Sequence, residues 1–180
     1  MTTVEIDKVE GLIGRLKSDR GFREEVARDP FSALLAAGIE LPESILSSEA
    51  RVLGEGDSMS VYFQTTVTGL KWPYRYYYLE NQSDRDLNLE SWRHIAGIGS
   101  QEHAVKAEPG KTVAFGLATL EELLWNQCNL SNNSHLVRDL KTNKVLGEAY
   151  NVTCGKTVNY WTATGSGDDI TVTLKHVEQP

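Results

Sequence analysis

The chain is short of cysteine, short of basic charge and, over its first third, short of aromatic residues, and each shortage closes off a class of function. Two cysteines, Cys128 and Cys154, in 180 residues are too few for a disulfide framework or a four-thiolate metal site. Lys plus Arg number 18 against 25 Asp plus Glu, a net charge of -7. An acidic surface of this kind argues against nucleic acid or an anionic membrane as an electrostatically driven partner. No apolar run approaches the roughly 18 residues that cross a bilayer. Met1 to Glu10 lacks the basic-then-apolar order of an ordinary secretory signal, so synthesis in the cytoplasm is expected, with any export following a different route. What remains is a composition of 40% hydrophobic and 24% charged residues, that of a globular protein with one ordinary domain or two small ones.

Among the Phe, Tyr and Trp residues only Phe22 and Phe31 lie in 1–56; all the others come later. The hydrophobic period changes at the same place. Ile6, Val9, Leu12, Ile13 and Leu16 recur at three and four residues, one face of a helix, with Thr2-Thr3-Val4-Glu5 as a capping box in front. A second short helix is expected from about Asp19 to Arg28, with Phe22 and Val26 inward. Asp29-Pro30 then restarts the helix: Asp accepts from free N–H groups, and Pro at the first helical position gives up a donor that would be unpaired anyway. Phe31, Leu34 and Leu35 form the next apolar stripe. Gly38 suits the left-handed residue that ends a helix, Ile39 and Leu41 fold back, and Pro42 prevents continuation.

Leu16 to Pro42, read as a unit, resembles the nitrile-hydratase-like leader peptides of bacterial ribosomally made, post-translationally modified natural products. The match lies in a Phe-Arg pair on a short helix, then Asp-Pro, a small apolar helix and Gly-Ile-Glu-Leu-Pro. The resemblance covers about the first 45 residues. It implies a segment gripped by a maturation enzyme or an exporter through an apolar helical face, here Phe22, Val26, Phe31, Leu34, Leu35, Ile39 and Leu41. Such leaders usually end at a Gly-Gly or similar small-residue cleavage site, for which this chain offers Gly54-Glu55-Gly56. The chain also departs from the class after that point, with about 120 residues patterned to fold rather than a short core rich in residues to be modified.

Ser47 to Ser60 is small, polar and Gly-containing and reads as a linker. Beyond it the period drops to two. Val61, Phe63, Thr65 and Val67 alternate, as do Trp72, Tyr74, Tyr76 and Tyr78; Leu87 and Leu89, Val113 and Phe115, Val158, Tyr160 and Thr162, and Ile170, Val172 and Leu174 continue the scheme. Lys141-Thr142-Asn143 and Gly165-Ser166-Gly167 are natural hairpin connections. The fold class expected is α+β: a small N-terminal helical segment (1–46), a linker (47–59) and a mainly antiparallel β-sandwich (60–180). Thr119 to Trp125 reads equally as a capped helical turn or as a strand. Gly-Lys-Thr-Val occurs at Gly110 and again at Gly155, an echo explained by turns that launch two equivalent strands.

The residues of a catalytic centre do not assemble in the sequence. His94, His103, His135 and His176 lack a second ligand at zinc-site spacing or a triad partner, and Asp168-Asp169 lacks the alternating oxygens of a calcium loop. The expectation is a protein that is not an enzyme and needs no cofactor or metal. Cys128 and Cys154 read as a disulfide in an oxidising compartment, or as two half-buried thiols. In a strand, Trp72, Tyr74, Tyr76 and Tyr78 share one face and Arg75 and Tyr77 the other. Flat rings with polar tips suit stacking on sugars or seating among lipid headgroups, which makes a glycan- or lipid-binding module the alternative function. Tyr78 to Leu89 and Glu108 to Phe115 are loosely similar to small bacterial β-sandwich modules, aegerolysin-like or immunoglobulin-like. The first function expected is a precursor-type or exported bacterial protein, with the helices as handle and the sandwich as cargo.

Overall fold

Three short helices open the described chain, and their ends follow from capping. The structure, a computed structural model, describes residues 6–39, 49–53, 60–65, 74–95, 98–119, 122, 128, 132–150 and 152–178. Helix α1 spans Ile6–Ser18, α2 Arg20–Arg28 and α3 Pro30–Ala36. Asp19 sits in extended backbone between α1 and α2 and its carboxylate accepts from Phe22 N–H at 3.0 Å. Asp29 does the same for Ser32 N–H at 3.1 Å, with Pro30 at the first helical position. The last carbonyls of α1 are used as well, since the Arg23 guanidinium donates to Leu16 O and Lys17 O. Gly38, at φ 79°, ends α3, and the N–H groups of Gly38 and Ile39 return to Leu35 O and Leu34 O.

Ten strands come next among the described residues: β1 Glu49–Leu53, β2 Ser60–Thr65, β3 Arg75–Asn81, β4 Leu87–Ile95, β5 Ile98–Ala107, β6 Thr112–Thr119, β7 Asn133–Asp139, β8 Val145–Ala149, β9 Thr157–Thr164 and β10 Thr171–Glu178. Hydrogen bonding orders them β1-β2-β6-β3-β9-β10 in one sheet and β5-β4-β7-β8 in another. The class is therefore α+β with a β-rich body. The sheets are mostly antiparallel, with β3 and β9 running parallel in the first.

The chain divides into two compact units, Met1–Thr66 with Leu117–Gln127 and Val67–Gly116 with Cys128–Pro180. In the first, the helices bury Leu12, Leu16, Phe22, Val26, Ala33, Leu34 and Ile39 in a cluster shared with Val61 and Phe63 of β2. Phe31 lies beside the same cluster, its ring 6.0 Å from that of Phe63. The stretch expected to be a linker contains β1, paired antiparallel with β2 from Glu49↔Gln64 to Leu53↔Ser60. A strand of five residues flanked by Gly and Ser is too short to stand out from a loop by period. The return segment carries a capping box: Thr119 N–H donates to the Glu122 carboxylate at 2.8 Å, and Glu122 N–H donates to Thr119 Oγ1 at 3.1 Å. At Thr119 and Glu122 the ambiguous segment is thus a capped turn; the rest of it lies outside the described residues, as do Thr2–Glu5, Leu41, Pro42, Gly54-Glu55-Gly56 and Trp72.

The second unit is organised around β3. Both Gly-Lys-Thr-Val stretches flank it: Gly110 and Gly155 have φ of 73° and 72°, and they launch β6 and β9, the two neighbours of β3. Gly110 N–H donates to Asn81 O at the end of β3, and Gly155 N–H to Tyr74 O just before its start. Asn81, fully buried, ties the turn after β3, its amide donating to Arg85 O and Ala107 O and its Oδ1 accepting from Ser83.

Candidate functional site

Strand alternation turns Arg75, Tyr77, Leu79 and Asn81 to one side of β3 and Tyr76, Tyr78 and Glu80 to the other. On the first side the two sheets of the second unit meet through polar side chains. Arg75 is fully buried and its Nη1 lies 3.2 Å from Glu102 Oε2. Ser91 Oγ donates to the same oxygen at 2.7 Å and lies 3.4 Å from the Tyr77 hydroxyl. Glu102 arrives there by a β-bulge: Ser91 pairs with His103 and Trp92 with Gln101, leaving Glu102 as the extra residue of β5. A bulge re-aims side chains. Here it brings two successive residues to the interior, because His103 also lies edge-on to Phe115 at 4.5 Å. Further along, Trp161 Nε1 donates to His135 Nδ1 at 2.8 Å with both residues buried. That bond uses the lone pair on Nδ1 and assigns the ring proton to Nε2.

This interior is chemically rich but closed. Arg75, Ser91 and His135 are 0% exposed and Glu102 is 3%, so these groups are held against one another away from bulk solvent. Among the described residues no three His, Cys, Asp or Glu side chains gather as a metal-holding group. His94 shares a hydrogen bond with Ser134 Oγ at 2.8 Å, where Ser134 is fully buried, and His176 lies exposed on β10.

Of the docking residues expected in the first unit, Phe22, Val26, Leu34 and Ile39 are buried in the cluster with β2, Phe31 is partly buried and Leu35 is 67% exposed. Leu41 lies outside the described residues. The buried members belong to one cluster that also holds Val61 and Phe63 of β2. The capping carboxylates that shape it titrate low. The Phe22 N–H holds Asp19 below the usual carboxylate value; burial opposes it, and Arg15 adds to the lowering. The Ser32 hydroxyl and N–H do so for Asp29.

Of the aromatic face, Tyr74 and Tyr76 are 2% and 1% exposed and stack on each other at 6.1 Å, so neither ring is presented to solvent. Tyr78 is half-buried and stacks on Tyr160, centroids 5.8 Å apart and planes 13° from parallel. Tyr160 and Glu80 escape a sequence reading because the parallel pairing of β3 with β9 joins segments about eighty residues apart. The alternation at Val158, Tyr160 and Thr162 is a local signal for the face Tyr160 takes, and nothing comparable marks Glu80.

Cys128 and Cys154 form a disulfide within the second unit, with Cα atoms 6.4 Å apart, inside the usual range. The Cys154 side is well anchored: Thr153 N–H donates to Asn159 Oδ1, and the buried Asn159 amide donates to Tyr76 O. Cys128 stands where the chain re-enters this unit after Gln127. Comparison with known proteins found no matching family and no matching curated protein.

Proposed function

We propose that this is a non-enzymatic bacterial protein of precursor or exported type. The N-terminal helices are the segment a maturation or export partner recognises, and the β-rich body, a β-sandwich, is the cargo. The observation that carries this reading is the Cys128–Cys154 disulfide, which uses both cysteines of the chain. Disulfides persist where the environment is oxidising and are rare in the reducing cytosol. The sandwich reading draws support from the side chains that link the two sheets of the second unit, Arg75 with Glu102, Tyr77 with Ser91 and Trp161 with His135. The leader-like reading rests on the resemblance of Leu16 to Pro42 and on the apolar stripe its helices share.

Recognition through that stripe is a competition. Helices of 13, 9 and 7 residues are marginal alone and depend on tertiary packing. β2 provides that packing, so a partner laying the same stripe into its own groove must displace Val61 and Phe63. In the producing bacterium, deletion of residues 1–46 is expected to abolish appearance of the protein in the medium. Equal secretion of the shortened and full chains would remove the helices from the recognition step.

A further inference from the structure

We propose that the outer face of β3, β9 and β10 binds a neutral saccharide, with Tyr78 and Tyr160 as the stacking platform and Glu80 as the hydroxyl acceptor. The face is defined by register. Tyr78 lies opposite Tyr160 and Glu80 opposite Thr162 across β3 and β9. Tyr160 lies opposite Lys175, and Thr162 opposite Thr173, across β9 and β10. Because side chains alternate along each strand, these six residues stand on one side of the sheet. Tyr78, Tyr160, Glu80 and Thr162 are half-buried, and Thr173 and Lys175 are exposed.

Two features distinguish this face from ordinary surface. The two rings are nearly parallel, giving adjoining apolar surfaces with polar tips. The carboxylate beside them is also fixed before any ligand arrives. Tyr160 Oη donates to Glu80 Oε2 at 3.1 Å and Gln82 Nε2 donates to Oε1 at 2.6 Å. Each carboxylate oxygen has two lone pairs, so both keep acceptor capacity for hydroxyl donors. Burial and the neighbouring Glu80 carboxylate raise the Tyr160 hydroxyl above its usual titration range.

Charge selects the occupant. The face holds one carboxylate and one ammonium, Glu80 and Lys175, on a protein of net charge -7. A phosphate headgroup or sulfated chain meets no excess of positive charge there and is repelled by Glu80. A neutral sugar brings what the face lacks, hydroxyl donors for the carboxylate and a C–H face for the rings.

The test uses the full oxidised chain, titrated by calorimetry with cellohexaose, mannohexaose and chitohexaose. A sulfated oligosaccharide and phosphatidylglycerol vesicles serve as the anionic arm. Saturable binding of at least one neutral oligosaccharide is expected, with Tyr160→Ala and Tyr78→Ala each weakening it by roughly tenfold or more, the usual scale for truncating a central aromatic anchor. Tyr160→Phe, which keeps the ring and loses the Glu80 contact, and Glu80→Gln should give intermediate losses with unchanged circular dichroism. Tyr150→Ala, at an exposed aromatic off this face, should bind like the wild type. Absence of binding at millimolar neutral sugar, binding insensitive to Tyr160→Ala and Tyr160→Phe, or binding confined to the anionic arm would each overturn the proposal.

Discussion

Reduction of the Cys128–Cys154 bond should lower the stability of the second unit by an amount the chain itself sets. The two half-cystines are 26 residues apart in sequence. Cross-linking a loop of that length removes denatured-state entropy worth about 3.5 kcal/mol at 25 °C. The native side changes little, because the Cys154 loop keeps its own anchors: Gly155 N–H on Tyr74 O, and Thr153 N–H on Asn159 Oδ1. With a urea slope of about 2 kcal/mol per molar for a unit of this size, the unfolding midpoint should fall by about 1.8 M. The assay is equilibrium urea unfolding followed by tryptophan fluorescence, to which Trp92 and Trp161 of this unit contribute. It is run with and without a phosphine reductant, on protein whose mass is first shown to be lighter by two hydrogens than the dithiol. Cys128→Ser/Cys154→Ser should unfold at the reduced midpoint and ignore the reductant. Coincident wild-type midpoints, or an equal reductant effect on the double variant, would show that the Cys128–Cys154 bond does not set this stability.

The two interiors give further expected outcomes. Glu102→Leu takes the carboxylate away from the fully buried Arg75 and should cost about 3–5 kcal/mol, of which adding Arg75→Met should recover most; chemical denaturation of the three proteins checks this. Phe63→Ala removes a fully buried ring from the cluster that covers the helical stripe and should cost about 3–5 kcal/mol, seen as earlier loss of the helical far-UV signal on heating. Asp139 is nearly inaccessible, and burial pulls its carboxyl upward. The Lys141 N–H, the Thr142 hydroxyl and Arg85 outweigh that pull and hold it below the usual value. Its contribution to stability is therefore complete above the unfolded value of about 3.9 and is lost as pH falls through the lower folded one. Asp139→Asn should flatten that part of an acid titration of the unfolding midpoint.

How much of this was legible depends on whether a signal is local. The helix ends were, since Asp19, Asp29-Pro30 and Gly38 act on N–H and C=O groups within four residues. So were the hairpin turns, where Asn143, Gly165 and Gly167 take positive φ. β1 was not, because five residues between Gly- and Ser-containing stretches carry too little period to separate strand from linker. Nor was the company each strand keeps. Tyr74, Tyr76 and Tyr78 look alike in sequence, yet two are enclosed and the third meets Tyr160 through a parallel pairing no short-range pattern encodes. Glu102 was hidden for a sharper reason. A charged residue on a period-two strand reads as solvent-facing, and only the bulge at that position reverses it.

Delivery of the β-rich body to an oxidising destination would leave the Cys128–Cys154 bond closed in the exported protein. Intact mass spectrometry of the protein recovered from cells and from medium of the producing bacterium tests it without any variant. The medium should hold a species that contains Cys128 and Cys154 and is lighter by two hydrogens than its dithiol form. A chain found only inside cells, with both thiols open to alkylation, would contradict it.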